Sequence, residues 1–105
     1  MSAVSVITRR ALAALVVPVG ATAAEGHIEN FSFVPAVLTV AVGTRVVWHN
    51  RDDMPHTVTS ADRPPRFASP PLDSDDSFAQ VFDKPGTFRY FCALHPHMQG
   101  SVVVT

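Results

Sequence analysis

The only cysteine of the 105-residue chain, Cys92, stands three residues before His95, which stands three before Met98, in the run Tyr90-Phe91-Cys92-Ala93-Leu94-His95-Pro96-His97-Met98-Gln99-Gly100. Thiolate and thioether suit Cu(I) and imidazole suits Cu(II), so a mixed set serves an ion that cycles between the two states. One further imidazole completes a trigonal His₂Cys plane with a weak axial Met, the donor set of a type 1 copper electron-transfer site. His56 is the candidate. It opens a strand-like run after Met54-Pro55, and the fixed φ of Pro55 restricts the backbone leading into it. A thiol in this role is deprotonated by the metal itself. Taken singly, Cys92 reads as a small buried hydrophobe, His95 as a surface imidazole and Met98 as core filler. The shared loop and regular spacing argue for ligation.

Such a loop needs strands on both sides. Short runs rich in Val, Phe and Thr, broken by Gly, Pro, Asn and Asp and lacking helical periodicity, predict an all-β sandwich of about seven strands. They lie near residues 27–33, 37–42, 45–50, 56–60, 77–82, 87–92 and 101–105. Alternation places Leu38, Val40 and Val42 in the core, with Val46, Trp48, Phe88, Tyr90, Cys92, Val102 and Val104. Gly43-Thr44 and Lys84-Pro85-Gly86 read as turns. Residues 61–76 hold two Pro-Pro pairs and no apolar alternation, which predicts a long loop because each proline removes a ladder donor. Its acidic cluster, Asp73, Asp75 and Asp76, reads as a solvated face.

The first 23 residues have the parts of a signal peptide: Arg9 and Arg10, the apolar run from Ala11 to Val17, and the small-residue site Ala21-Thr22-Ala23. That division leaves one domain, residues 24–105, for export to the periplasm, and the apolar run is too short to span a bilayer. Processing would remove two of the eight basic residues and none of the nine acidic ones, leaving a net charge of −3. No basic patch of the kind a phosphate backbone requires remains, so nucleic acid is not an expected partner. A lone cysteine forms no internal disulfide.

Residues 27–105 resemble the cupredoxins, and most nearly the amicyanin and pseudoazurin group. The likeness is carried by Phe31-Ser32-Phe33-Val34-Pro35, Val42-Gly43-Thr44-Arg45-Val46-Val47-Trp48-His49-Asn50, Met54-Pro55-His56-Thr57-Val58, Pro85-Gly86-Thr87-Phe88-Arg89-Tyr90 and the short Cys-x-x-His-x-x-Met loop. It implies a Greek-key β-sandwich with one Cu(I)/Cu(II) ion at one end, His56 buried and the edge of His95 reaching solvent. It also implies that the Asn50 side chain ties the His56 strand to the Cys92 loop. Pro96 has no N–H to donate toward the Cys92 sulfur. Two positions depart from the family: Leu94 stands where amicyanins usually have proline, and His97 where a bulky apolar residue is usual. His97 is either a surface residue beside the docking face or an alternative ligand to Met98. His27 and His49 read as strand residues unconnected to the metal.

The expected function is a monomeric one-electron carrier, not an enzyme, because four protein ligands leave no open position for substrate. Its partners would be a dehydrogenase, a reductase or a c-type cytochrome meeting an apolar rim of Met54, Pro55, Ala93 and Pro96 around His95. A periplasmic copper carrier or buffer, which passes on the metal rather than electrons, is the alternative that the ligand set leaves open.

Overall fold

The computed structural model describes residues 22–105. The proposed signal peptide lies, except for its last two residues, outside them. The described residues form eight strands and no α-helix: β1 (Ala23–Glu29), β2 (Ser32–Val34), β3 (Val37–Val40), β4 (Thr44–Asn50), β5 (Thr59–Ser60), β6 (Ser77–Phe82), β7 (Gly86–Phe91) and β8 (Gln99–Val104). They make two four-stranded sheets, ordered β2-β1-β4-β6 and β3-β8-β7-β5. The chain crosses between sheets after β2, β3, β4, β5 and β6, and this exchange gives the sandwich its Greek-key character. Two pairings are parallel, β1 with β4 and β3 with β8, and the others are antiparallel.

Alternation along the strands fills the space between the sheets. Val46 and Trp48 of β4, Tyr90 of β7, and Val102 and Val104 of β8 are all buried. Trp48 sits among four aromatic rings, those of Phe67, Phe78, Phe82 and Tyr90, at centroid distances of 5.2–6.4 Å. Its indole N–H donates to the Tyr90 hydroxyl at 3.2 Å. Rings of this size bury roughly 150–250 Å² each, worth about 4–6 kcal/mol at about 25 cal/mol per Å² before conformational entropy is set against it. Gly100, the register partner of Tyr90, lies under that ring: a Cβ there would come within 2.5 Å of the Tyr90 Cζ and hydroxyl oxygen.

Five details differ from the pattern read in the sequence. The first expected strand is two, because Asn30 and Phe31 both take positive φ (51° and 56°) and fold β1 back onto β2. Successive left-handed residues form the type I′ hairpin turn, whose usual signal is Asn-Gly rather than Asn-Phe. β1 itself begins at Ala23, so the proposed cleavage point falls after its first residue, and Thr22 already accepts a bond from the Arg45 amide at 2.9 Å. Val42 is exposed, because β3 ends at Val40 and the chain turns through Gly43 at a φ of 91°.

The long loop is also more than a surface excursion. Phe67 and Leu72 are buried in the core. Loop residues lie antiparallel to residues 56–60, with Ser60 N to Phe67 O at 2.9 Å, Ser69 N to Val58 O at 2.9 Å, and a reciprocal pair between His56 and Leu72 at 3.1 and 2.7 Å. Of the expected strand 56–60 only Thr59–Ser60 joins a ladder; His56 is held by its isolated bridge to Leu72.

Candidate metal centre

Three connections meet at one end of the sandwich: the β1–β2 turn, the segment from Arg51 to Val58, and the β7–β8 loop. The last explains its own spacing. His95 N donates to Cys92 O at 3.2 Å and Met98 N to His95 O at 2.9 Å, two successive i→i+3 turns. Each advances the chain three residues, which sets Cys92, His95 and Met98 one turn apart. Cys92 N then donates to Met98 O at 3.1 Å and closes the loop at its base. Cys92 and Met98 are buried, His95 is half-buried, and Ala93, Leu94, Pro96 and His97 are exposed.

His56 comes to the same point from the other side, fully buried. The Cys92 Sγ lies 3.7 Å from His56 Nδ1 and 3.8 Å from His95 Nδ1. The three donor atoms all fall within 4.8 Å of one another, the one such group found among the described residues. A trigonal ion with about 2.3 Å to sulfur and about 2.0 Å to nitrogen separates sulfur from each nitrogen by about 3.7 Å, which matches both sulfur–imidazole distances. His27 and His49 are register partners on β1 and β4 and do not belong to the group.

The surrounding bonds fix each donor. Asp52 receives the His56 Nε2–H at 2.7 Å, the tautomer that leaves Nδ1 free to face the sulfur. The same carboxylate accepts the amides of Asn30 at 2.7 Å and Phe31 at 2.9 Å. Burial works to raise the Asp52 carboxyl, but the Phe31 amide, His56 and the Asn30 amide together outweigh it and hold the group below its ordinary range. The Thr57 amide points at the Cys92 sulfur, 3.4 Å away, and the Thr57 hydroxyl accepts the Ala93 amide at 2.7 Å.

Thr57 therefore makes the tie that the resemblance assigned to Asn50. Asn50 is fully buried but works one step back: its Nδ2 donates to Met54 O at 2.9 Å and Leu72 O at 2.8 Å, and its Oδ1 accepts the Asp52 amide at 2.9 Å. Asp52, Thr57 and Leu72 were not singled out in the sequence. A carboxylate four residues before His56 and a hydroxyl immediately after it are the signals that could have found the first two. His97 is exposed with its ring 6.5 Å from that of His95, as a surface residue would be.

Phe31 is the remaining neighbour. Its ring meets His56 edge to face at 5.3 Å and His95 at 5.0 Å, while the two imidazoles lie 5.0 Å apart. A left-handed backbone costs such a residue about 1–2 kcal/mol. Two edge-to-face contacts of about 0.5–1.5 kcal/mol each offset it.

A family model for the cupredoxin-like domain matches residues 11–104. Amicyanin-alpha of Methylorubrum extorquens is 33% identical over 90 residues, 83% of this chain and 74% of that protein. Amicyanin of Paracoccus versutus is 30% identical over 104 residues, 96% and 77% of the two chains. Among solved structures, a purple cupredoxin from Nitrosopumilus maritimus aligns with a TM-score of 0.73 at 34% identity, covering 78% of this chain and 99% of that one. A Cu(I) form of an amicyanin variant aligns with a TM-score of 0.74 at 29% identity and 88% coverage of both chains.

Proposed function

The chain belongs to the cupredoxin family, whose cofactor is one type 1 copper ion, and on that premise we propose that it is an exported, monomeric one-electron carrier with His56, Cys92, His95 and Met98 as its ligands. The observation that carries the assignment is the position of the Cys92 sulfur, 3.7 and 3.8 Å from the Nδ1 atoms of two histidines that reach it from different segments. Copper supplies a one-electron couple, and the mixed sulfur and nitrogen set suits both of its oxidation states.

The protein's part is to hold the donors still. His56 is locked by Asp52 and Leu72, Cys92 by the Thr57 amide, and the loop by its two turns. Little then rearranges when an electron arrives, which keeps the exchange fast. His95 is the only one of the four that is not buried, so its edge is the exit for the electron. Around it Phe31, Met54 and Leu94 expose 40–48% of their surface beside Ala93 and Pro96, an apolar rim suited to brief docking of a dehydrogenase, a reductase or a c-type cytochrome. Residues 1–23 act in this reading as the signal peptide that directs the protein to the periplasm. No helix among the described residues is long and apolar enough to cross a membrane.

The test is the visible spectrum of the copper-loaded, oxidised protein with a redox titration. An intense sulfur-to-copper charge-transfer band and a reversible midpoint are expected, with the band absent in Cys92→Ala. A colourless, redox-silent copper protein would refute the reading. Copper that passes to an apo acceptor during redox cycling would replace electron transfer with metal carriage.

A further inference from the structure

We propose that Phe31 is a positioning residue for the metal centre: a ring wedge, held in a left-handed turn by Asp52, that fixes the orientation of both ligand imidazoles. The inference rests on the ligand reading above and deepens it.

Four observations converge. Phe31 occupies the second position of a two-residue I′ turn, where positive φ favours glycine and a bulky side chain is an outlier. Its backbone is pinned there, because the Asp52 carboxylate accepts both turn amides at 2.7 and 2.9 Å. The same carboxylate holds His56 Nε2 at 2.7 Å, so one side chain sets the register between the turn and the buried ligand. Finally, the Phe31 ring stands nearly perpendicular to both imidazoles, at 89° to His56 and 84° to His95. An unfavourable backbone conformation kept at such a point indicates function rather than folding economy.

The arrangement gives His95 what its own loop does not. Its neighbours Ala93, Leu94, Pro96 and His97 are exposed, and among the ring contacts of the imidazole those with Phe31 and His56 come from outside the loop. Phe31 sits on a hairpin turn of the other sheet, so rotation of the His95 ring has to displace a group anchored to a different part of the fold. It thus joins the exposed ligand to the buried one through a single ring.

Phe31→Gly separates this role from a structural one, since Asn-Gly is the preferred I′ pair and relieves the backbone. Relieved strain and lost ring contacts are of similar size, so the apoprotein of Phe31→Gly is expected to resist urea about as well as the natural protein. In its copper-loaded form EDTA should withdraw the metal faster, on the order of tenfold, and the charge-transfer band should shift or broaden. Phe31→Tyr, which keeps the ring edge, should restore both. The proposal is overturned if Phe31→Gly keeps the natural band and release rate, or if apoprotein stability falls in step with copper retention, which would make the ring ordinary packing. A natural protein that lacks the band altogether would refute the ligand assignment and this inference with it.

Discussion

Replacing Asn50 with alanine should strip the frame from the site without touching a proposed ligand. Asn50 is fully buried and makes three hydrogen bonds, to Met54 O, Leu72 O and the Asp52 amide. A typical buried hydrogen bond contributes about 0.5–1.5 kcal/mol net, and an orphaned partner about 1–3 kcal/mol. Leu72 O retains the His56 amide as a second donor, and Met54 is exposed, so two of the three partners are partly rescued. The expected loss is therefore about 3 kcal/mol. A domain of this size has about 4–12 kcal/mol in total, and about 3 kcal/mol corresponds to a fall in Tm of about 12–24 °C. Urea unfolding of the apoprotein, followed by emission of the single tryptophan, Trp48, measures it in the core where the rings meet. Asn50→Asp should lose more at neutral pH, because acceptors replace both donors opposite two carbonyls, and should recover in acid, where a protonated carboxyl regains one donor. A loss below about 1 kcal/mol in Asn50→Ala would show that the 51–72 frame stands without these bonds.

Two further substitutions probe the ring beneath the centre. Gly100→Ala places a Cβ 2.5 Å from Tyr90 and forces that ring off the Trp48 N–H, with an expected loss of about 2–4 kcal/mol by thermal unfolding; less than about 0.5 kcal/mol would mean that the sheet gives way freely. Burial raises the Tyr90 phenol above its ordinary value, with the Trp48 bond a smaller opposing influence. Its contribution is thus complete below the unfolded value of about 10 and is lost as pH rises from there through the folded value. Urea midpoints between about pH 8 and 12 should show that decline in the natural protein and a shallower one in Tyr90→Phe; parallel curves would refute it.

The proposed ligands were legible because their chemistry is local: Cys92, His95 and Met98 lie on one loop, and two i→i+3 turns give their spacing. The sandwich was legible from alternation at Val46 and Trp48, Tyr90 and Cys92, and Val102 and Val104, all buried. What escaped depends on partners far along the chain. Phe67 and Leu72 sit in a proline-rich stretch with no period, and only their pairing with residues 56–60 makes them core. Asp52 matters because a turn 21 and 22 residues earlier presents two amides to it. Asn50 was recognised as important, but its partners were misassigned, since a type of side chain does not disclose which carbonyls it will face. Val42 continued an alternation that the backbone had already left.

The hairpin carrying Phe31 hangs from one sheet, and the loop carrying Cys92 and His95 from the other. A metal held as proposed between His56 and that loop, with the ring wedged alongside, would fasten the two sheets at a single end, as a clasp closes a book along one edge. In a chain whose one cysteine leaves it without an internal disulfide, such a clasp would give the native state a polarity: opening motions are expected to concentrate at the opposite margin, where Val42-Gly43 and Asp83-Lys84-Pro85 turn the chain. Slack in the fold would then be taken up far from the metal.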